Sequence, residues 1–358
     1  MRILHTESSL GWGGQEIRVL TEARGVARLG HEVLLAAPGE SRIHREAARF
    51  GVEALALPIA RKSVRGLLAM RRLLGDHAFD VVNTHSSTDS WLAALGRAFS
   101  ASKPAIVRTR HISAPVPRNA ATRWLYRQAR RIVTTGEKLR SQVVEETGVA
   151  EVDVVSVPTG IDLGKFRPGD RDRARAATGL PAGKTIVGIV ATLRSWKGHR
   201  YLIDAIAAMQ REEVVLAIVG DGPQRAALEA QATERALPVR FAGDQDDVAP
   251  WLQSFDLFCL PSYANEGVPQ ALMQAMACGL PVVTTDVGSI GEIVTHDETG
   301  TMVPAQDAQA LRVAIEALLG DAPRRVRLGA AAAARARERF GEALMVERML
   351  AEFRAAQG

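Results

Sequence analysis

The strongest constraint on the fold is a regular alternation of short β-rich runs with longer helical patterns. In the first half of the chain the β-rich runs are RILHTES, HEVLLAAP, FDVVNTHS, AIVRTRH, RIVTTGE and DVVSVP. Between the first two, residues 15–29 place apolar side chains at helical spacing, and Gly30 follows as a stop signal. This alternation predicts a parallel sheet that is covered by helices on both faces.

The second half repeats this rhythm with the runs TIVGIVATL, VVLAIVGDG, VRFAGD, DLFCLPS and PVVTTDVG. The chain has 358 residues, which suits two α/β domains of ordinary size. A stretch rich in Gly, Pro and charge, VPTGIDLGKFRPGDRDRARAATGLPAGK, separates the halves. The sequence therefore predicts an α/β fold with two doubly wound, Rossmann-like parallel sheets, in domains of residues 1–168 and 169–340.

The end of the chain is rich in Ala and Arg and has a helical pattern, with a break at Phe340 and Gly341. A low-complexity tail is one interpretation. Apolar residues recur between Leu344 and Phe353 at a spacing that favours a packed helix instead. We expect residues 341–358 to form a C-terminal helix that packs near the domain interface.

Composition and charge narrow the class of protein. Hydrophobic residues make up 47% of the chain and charged residues 24%, as in packed proteins rather than disordered or fibrous ones. The formal charge of +5 is uneven, because residues 1–165 hold 24 Lys and Arg against 16 Asp and Glu. A basic first half can be drawn to an anionic membrane surface, a lipid-linked acceptor or a nucleic acid, and charge alone does not choose among them.

Cysteine content and hydropathy bear on the compartment. Cys259 and Cys278 lie in apolar runs, and two thiols are too few for a disulfide framework or a zinc site, so we expect buried core thiols. The opening run MRILHTES is a strand pattern rather than a signal peptide, and no apolar run reaches about 18 residues. We therefore expect a cytoplasmic protein.

The first candidate site follows the strand TIVGIVATL. The segment RSWKGHRYLIDAI places Arg194 and Lys197 between the carboxyl end of that strand and the next helix, the edge at which open α/β sheets bind ligands. Two cations beside the N–H groups of a helix start suit a diphosphate, and Gly198 lets the backbone come close. Two solvated surface cations are the alternative.

The second candidate site lies in PSYANEGVPQALMQAMACGLPVVTT, where a strand ends at Ser262 and a helix begins near Pro269. Glu266, on the loop before that helix, can accept hydrogen bonds from sugar hydroxyls. The N–H groups of Gly267 and Val268 can turn toward an anion. The helix places Gln270 and Gln274 on one face.

These motifs together carry a family resemblance. RSWKG, followed by PSYANEG and ALMQAMACGLPVV, resembles glycosyltransferase family 4, whose members are retaining enzymes of GT-B architecture. The match continues through GWGGQE, VPTGIDLGKFRP, VGDGP and VGSIGEIV, and so spans both halves. The resemblance implies two Rossmann-like domains that face a central cleft.

The resemblance also implies roles for these residues. A nucleotide-sugar donor would lie on the second domain, with Arg194 and Lys197 on its phosphates. Glu266 matches the first of the family's two glutamates, expected on the donor sugar, whereas Gln274 replaces the second, and its carbonyl can still accept a hydrogen bond from the ribose. The full predicted donor-binding set is Arg194, Lys197, Gly222, Glu266, Gly267, Val268, Pro269, Gln270 and Gln274, and the predicted catalytic set is Glu266, His111, Arg194 and Lys197.

In the first domain, Gly13 and Gly14 lie in the loop where the family brings the backbone near the donor phosphate and the acceptor. A tight turn is the alternative reason for these glycines. His111 ends the strand AIVRTRH and resembles the family's cleft histidine, although a structural role is also open. His85, at another strand end, is a weaker candidate of the same kind.

We expect no metal ion and no cofactor, since the nucleotide-sugar is a co-substrate. Asp244, Asp246 and Asp247 in FAGDQDDV superficially resemble an Asp-x-Asp metal clamp. They precede a short helix, where Asp is a favoured N-cap, and a phosphate site with Arg and Lys has less need of a divalent ion. The resemblance likewise implies transfer without a metal.

The acceptor is less clear from the sequence. Residues 61–74 and 117–131 mix cations with apolar or aromatic residues and could lie on an anionic membrane, with Trp124 and Tyr126 at the interface. Ordinary helices with solvated basic faces are the alternative. Nucleic acid is not expected as a partner, because no recognition motif accompanies the charge.

The function that follows is a retaining glycosyltransferase. It would move a sugar from a nucleotide-diphosphate-sugar to a glycan or lipid-linked acceptor of the cell envelope, with lipopolysaccharide-type acceptors preferred, and could be peripheral on the inner face of the cytoplasmic membrane. A nucleotide-sugar epimerase of the same architecture is one alternative. A non-catalytic nucleotide-sugar-binding protein is another, to which Gln274 lends some weight.

Overall fold

The computed structural model describes residues 1–112, 114–264 and 266–358, which form two compact units. Unit 1 comprises Met1–Gly160 together with Glu342–Gly358, and unit 2 comprises Ile161–Gly341. The division after Gly160 differs from the predicted boundary at residue 168, and the C-terminal residues belong to unit 1. No helix in the described ranges is long and apolar enough to cross a membrane.

Unit 1 contains a parallel sheet in the order β3-β2-β1-β4-β5-β6-β7. Its strands are β1 (Arg2–Thr6), β2 (Glu32–Ala37), β3 (Glu53–Ala56), β4 (Val81–Thr84), β5 (Ala105–Arg110), β6 (Arg131–Thr134) and β7 (Val154–Ser156). Its helices are α1 (Gly14–Arg28), α2 (Arg42–Glu46), α3 (Val64–Asp76), α4 (Ser87–Ala98), α5 (Ala120–Arg127), α6 (Glu137–Thr147) and, from the end of the chain, α14 (Glu342–Gln357).

The predicted C-terminal helix is α14, and it completes the core of unit 1. Met349 and Phe353 pack with Val81 and Val107 of the sheet, all fully buried. A Cβ atom on Gly25 of α1 would lie 2.3 Å from Val346, so the glycine permits the close approach of the two helices. The first sheet therefore depends on residues from the far end of the chain for the cover of one face.

Unit 2 contains a parallel sheet in the order β10-β9-β8-β11-β12-β13. Its strands are β8 (Thr185–Val190), β9 (Val214–Val219), β10 (Val239–Gly243), β11 (Leu257–Leu260), β12 (Val282–Thr285) and β13 (Thr301–Val303). Its helices are α7 (Arg171–Thr178), α8 (His199–Ala207), α9 (Arg225–Glu234), α10 (Ala249–Ser254), α11 (Gln270–Ala277), α12 (Ala308–Gly320) and α13 (Ala322–Arg339).

The predicted fold class is confirmed, with two strands added at the sheet edges. β3 and β13 were not predicted, because each is short and lies at the edge of its sheet, where a strong apolar alternation is not required. The interior strands β8 and β11 are almost wholly buried and read as continuous apolar runs. Cys259 and Cys278 are buried, as the sequence predicted.

Candidate functional site

In unit 2 the predicted site lies where the strand order reverses. The sheet is wound outward from β8 in one direction and from β11 in the other, so the loops after these two strands flank a crevice at the carboxyl edge. Arg194 and Lys197 follow β8, and Ser262 and Glu266 follow β11. The sequence motifs that stand about seventy residues apart are thus brought to one place, as the strand-edge rule predicts.

Lys197 and Glu266 form an ion pair at this switch point. Lys197 Nζ lies 2.7 Å from Glu266 Oε1, and the Ser262 hydroxyl donates to the same oxygen at 2.5 Å. Glu266 is only 4% exposed, so the ion pair with Lys197, and not hydration, compensates the burial of its charge. One donor of the ammonium is therefore committed to Glu266, and two remain for a ligand.

Arg194 is the more exposed of the two cations predicted to bind phosphate. Its guanidinium carbon lies 5.7 Å from the centre of the Trp196 ring. Within residues 1–112, 114–264 and 266–358, its side chain has no ion-pair partner. A half-exposed aromatic face on one side and solvent on the other leave this guanidinium open to an anion.

Glycines bring the loops of unit 2 together. Gly198 has a left-handed φ of 77°, and a Cβ atom there would lie 1.9 Å from the carbonyl oxygen of Pro261. Gly288, after β12, has a φ of 62° and would place a Cβ atom 1.9 Å from the carbonyl oxygen of Glu266. Gly288 belongs to the motif VGSIGEIV, but the sequence pattern alone gave it no role of its own. A glycine just after a strand in that motif was the available signal.

The predicted glycine Gly222 lies in the loop after β9. It has a φ of 157°, and a Cβ atom there would lie 2.8 Å from the carbonyl oxygen of Leu193, next to Arg194. Its N–H donates to the Asp221 carboxylate at 2.6 Å. Gly222 thus supports the backbone beside Arg194, and a donor contact by this residue stays a prediction.

The helix α11 starts one residue later than expected. Pro269 is its N-cap rather than a first-turn residue, and the Pro269 carbonyl accepts from the N–H groups of Leu272 and Met273. Gln270 and Gln274 lie on one half-buried face of the helix. Gly267 and Val268 precede it and are also half-buried. The structure places these residues at the switch point, and their predicted contacts with a donor remain predictions.

Asp247 has the local role that the sequence indicated, one position earlier than a true N-cap. The cap of α10 is Val248, and Asp247 Oδ1 accepts from the N–H of Ala249 at 2.9 Å. The same oxygen lies 3.0 Å from Lys165 Nζ. The Asp247 carboxylate thus serves a helix start and a surface ion pair.

In unit 1 the strand order reverses between β1 and β4, and three histidines lie in a row near that point. His5 is in β1, His85 follows β4 and His111 follows β5. His5 Nδ1 lies 3.0 Å from His85 Nε2, and His85 Nδ1 lies 2.9 Å from His111 Nε2. The two predicted histidines are therefore in contact, and His5 was missed because its partner lies 80 residues away in sequence.

The environment of this row keeps its rings neutral. Burial lowers the pKa of His5 to about 3, and burial together with the neighbouring ring and Arg18 lowers the pKa of His85 well below its usual range. The pKa of His111 is lowered in the same way by burial and by Arg18. Neutral rings can each donate one hydrogen bond and accept one.

A carboxylate pair lies beside the histidine row. Asp89 accepts from Thr6 Oγ1 at 2.8 Å and from the N–H groups of His85 and Ser86 at 2.9 Å, which caps α4. Burial, followed by the charge of Glu7, raises the pKa of Asp89 to about 7. Glu7 accepts from Gln15 Nε2 at 2.5 Å, and its pKa is also raised by burial. Neither carboxylate was singled out from the sequence.

The loop that holds Gly13 and Gly14 does not support the tight-turn interpretation of Gly13. Gly13 is the N-cap of α1 with an extended φ of −179°, which any residue can adopt, so a tight turn does not require glycine there. A Cβ atom at Gly13 would lie 3.8 Å from Glu16 Oε2, an ordinary van der Waals contact. Gly14 is the first residue of α1. A role of this loop toward a phosphate or an acceptor stays a prediction.

The basic segments of unit 1 differ from expectation at one residue. Tyr126 is 1% exposed and packs in the core over Arg108, so it is not available to a membrane interface. Trp124 is 38% exposed and stacks on Trp91, with ring centres 5.6 Å apart. The sequence pattern showed an aromatic pair but not which member of the pair faces the sheet.

Comparison with known proteins places these observations in a family. A model described as Glycosyltransferase Family 4 matches residues 12–165, and one described as Glycosyl transferases group 1 matches residues 184–321. D-inositol 3-phosphate glycosyltransferase of Nocardia farcinica is 30% identical over 303 residues, which cover 78% of this chain and 67% of that relative. D-inositol 3-phosphate glycosyltransferase 2 of Catenulispora acidiphila is 32% identical over 214 residues, 55% of this chain, and the chain spans about half (49%) of its length.

Solved structures of other proteins share this fold. Anabaena HepE in complex with UDP superposes with a TM-score of 0.86 at 20% identity, over 98% of this chain and 99% of that one. Two Rossmann-like units of this kind define the GT-B class of glycosyltransferases. The chain belongs, within that class, to the group 1 and family 4 glycosyltransferases.

Proposed function

We propose that the protein is a retaining glycosyltransferase that binds a nucleotide-diphosphate-sugar on unit 2 and transfers its sugar to a glycan or lipid-linked acceptor of the cell envelope. The observation that carries the proposal is the group of Arg194, Lys197 and Glu266 at the switch point of unit 2. Two cations and a buried carboxylate at one strand edge fit a diphosphate bonded to a sugar. The acceptor would bind to unit 1.

The mechanism follows from the charge that develops as the anomeric carbon–oxygen bond breaks. Negative charge grows on the departing diphosphate, and Arg194 with the free donors of Lys197 would stabilise it, each by about 3 kcal/mol in the transition state. Glu266 holds the Lys197 ammonium through one oxygen. Its other oxygen would accept from a hydroxyl of the donor sugar. The acceptor hydroxyl would attack the anomeric carbon on the face that the diphosphate leaves, and its proton would pass to an oxygen of the departing diphosphate.

The first experiment measures donor binding by thermal shift with a panel of nucleoside diphosphates and nucleotide-sugars. One of them should raise the melting temperature of the wild type, and Arg194→Gln should weaken that effect. Arg200→Gln is the matched control, because Arg200 is an exposed cation on α8 that stacks on Tyr201. An equal loss in both variants, or no ligand that stabilises the wild type, would contradict the proposed donor site.

The second experiment separates transfer from the rival activities. The protein is incubated with the stabilising nucleotide-sugar, with and without envelope glycan or lipid-linked acceptors, and the products are separated by chromatography. Acceptor-dependent product with a retained anomeric configuration by NMR supports the proposal. Conversion of donor alone into an isomeric nucleotide-sugar identifies an epimerase, and binding without any conversion, even in Gln274→Glu, identifies a binding protein.

We further propose that unit 1 contacts the anionic, cytoplasmic face of a membrane through α3. Val64 is 74% exposed and Leu68 is 56% exposed, and the exposed Arg65 and Arg72 lie on the same side of the helix. The protein should sediment with vesicles that contain anionic lipid and be released by salt. Leu68→Glu should reduce the sedimentation, and Val326→Glu, at an exposed apolar residue of unit 2, should not.

A further inference from the structure

The row of His5, His85 and His111, here called the histidine chain, has a feature that the proposed transfer reaction does not use. His5, at the inner end, is fully buried, and its Nε2 has no hydrogen-bond partner among the described residues. The His5 ring meets Phe353 of α14 edge to face, with centres 6.1 Å apart. His111, at the outer end, is half-buried. The histidine chain thus extends from an apolar interior to a more open surface.

The protons of the histidine chain can be arranged in two ways. Three neutral rings carry three N–H protons, and each of the two N···N contacts needs one of them. The third proton then lies at one end, either on Nε2 of His5 or on Nδ1 of His111. Since each ring holds one proton, both contacts are satisfied only when all three rings carry it on Nδ1 or all three carry it on Nε2.

The inner end favours one of the two arrangements. With protons on Nε2, His5 would bury an N–H that has no acceptor, whereas with protons on Nδ1 the third N–H lies on half-buried His111. Buried N–H groups without acceptors are rarer in proteins than under-used acceptors, and each costs about 1–3 kcal/mol. The arrangement with all protons on Nδ1 is therefore the stable one.

We propose that His5 and His85 are positioning residues that hold His111 as its Nδ1–H tautomer, so that His111 serves as a hydrogen-bond donor to a substrate oxygen and not as a base. The tautomer is a property of unit 1 alone, because every atom involved lies in that unit. The consequence for transfer rests on the proposed function and on the prediction from the family resemblance that His111 faces the cleft.

The tautomers are read from the full-length protein labelled with 15N in the histidine rings. Long-range 1H–15N correlation separates Nδ1–H from Nε2–H rings, and single His→Phe variants assign the three signals. The expected result is the Nδ1–H pattern for all three members of the chain. An Nε2–H pattern at His111, or unlike tautomers within the histidine chain, would overturn the proposal. A wild-type spectrum with fewer than three Nδ1–H rings would overturn it even if no variant folds.

Substitution then tests whether His85 sets the tautomer. His85→Phe removes the donor to His111 Nε2, so Nε2–H should become populated at His111. His85→Gln should restore the Nδ1–H pattern, because its amide oxygen can accept from His5 Nδ1–H while its NH2 group donates to His111 Nε2. Phe353→Leu is the packing control, since it touches His5 without a hydrogen bond. If His111 keeps a pure Nδ1–H pattern in His85→Phe, His85 is not its positioning residue.

Activity supplies a separate readout. Once an acceptor is known, His85→Phe should lower kcat about tenfold, as expected when a donor loses its orientation, and His85→Gln should recover most of the loss. Phe353→Leu should change kcat less than twofold. Unchanged kcat in His85→Phe, with the tautomer released, would refute the role in transfer. A wild type that transfers no sugar would refute the proposed function while leaving the tautomer result intact.

Discussion

The Lys197–Glu266 pair allows a quantitative test of how unit 2 holds a buried carboxylate. At the observed 2.7 Å the Coulomb attraction is about 6 kcal/mol at an effective dielectric constant of about 20, before desolvation is subtracted. Among the described residues, Lys197→Met leaves the buried charge of Glu266 with only the Ser262 hydroxyl as a partner. Removal of one partner from such pairs costs about 3–5 kcal/mol. Because Lys197 is one-fifth exposed, we expect a loss near 3 kcal/mol.

The second half of the cycle removes the charge itself. Glu266→Gln should cost about 1 kcal/mol, because the amide retains a hydrogen bond from Ser262. The double variant has no unpaired buried charge, so it should be more stable than the sum of the single losses by about 2 kcal/mol. The assay is hydrogen exchange at the amides of β8 and β11, which reports on unit 2 alone.

A surface pair in the same unit provides the comparison. Arg235 and Asp204 are 3.0 Å apart and partly exposed, so the cycle of Arg235→Met with Asp204→Asn should give a coupling below about 0.5 kcal/mol. If the Lys197–Glu266 cycle is also additive within about 0.5 kcal/mol, the lysine does not neutralise the carboxylate. The reasoning about the site would then be wrong.

Three further predictions concern stability. Gly198→Ala should lower the stability of unit 2 by at least 2 kcal/mol in hydrogen exchange and weaken donor binding, because its Cβ would overlap the Pro261 carbonyl at a left-handed φ; an unchanged variant would contradict this packing. Deletion of residues 342–358 should abolish the cooperative unfolding of unit 1, measured by calorimetry, since Phe353 and its neighbours cover one face of the sheet; a retained transition would show that the cover is dispensable. Burial raises the pKa of Glu22 from 4.5 to about 7, so the folded state binds this proton more tightly than the unfolded state, and the resulting stability is complete below about pH 4.5 and lost as the pH rises through 7. Glu22→Gln should therefore reduce the fall in unfolding free energy between pH 5 and pH 8 by about 2–3 kcal/mol in urea titrations, and parallel pH profiles would refute the assignment.

The sequence was sufficient for the fold class and for bringing the candidate residues of unit 2 to one edge of the sheet. Arg194, Lys197 and Glu266 could be brought together in advance because parallel strands all end at the same edge of a sheet. The ion pair of Lys197 with Glu266 could not be predicted, since it depends on how two loops 69 residues apart approach each other. The sequence pattern predicts the sheet edge at which each loop lies, but not the distance between two loops at that edge.

Contacts between residues far apart in the sequence could not be predicted from local patterns either. His5 looks like an ordinary member of a buried strand, and its contact with His85 emerges only once β1 and β4 are neighbours. The helical period of residues 341–358 predicted a packed helix, yet an amphipathic helix does not specify which apolar surface it covers. The chosen surface includes Gly25, where the absence of a side chain leaves room for Val346.

The placement of α14 has a consequence for how the protein is made. The strands of the first sheet leave the ribosome early, but the helix that covers Val81 and Val107 is synthesised only after all of unit 2. At about 5–20 residues per second, the intervening unit takes roughly 10–40 s to translate. During that interval the nascent chain carries an uncovered apolar sheet face, so unit 2 can finish folding before unit 1 does.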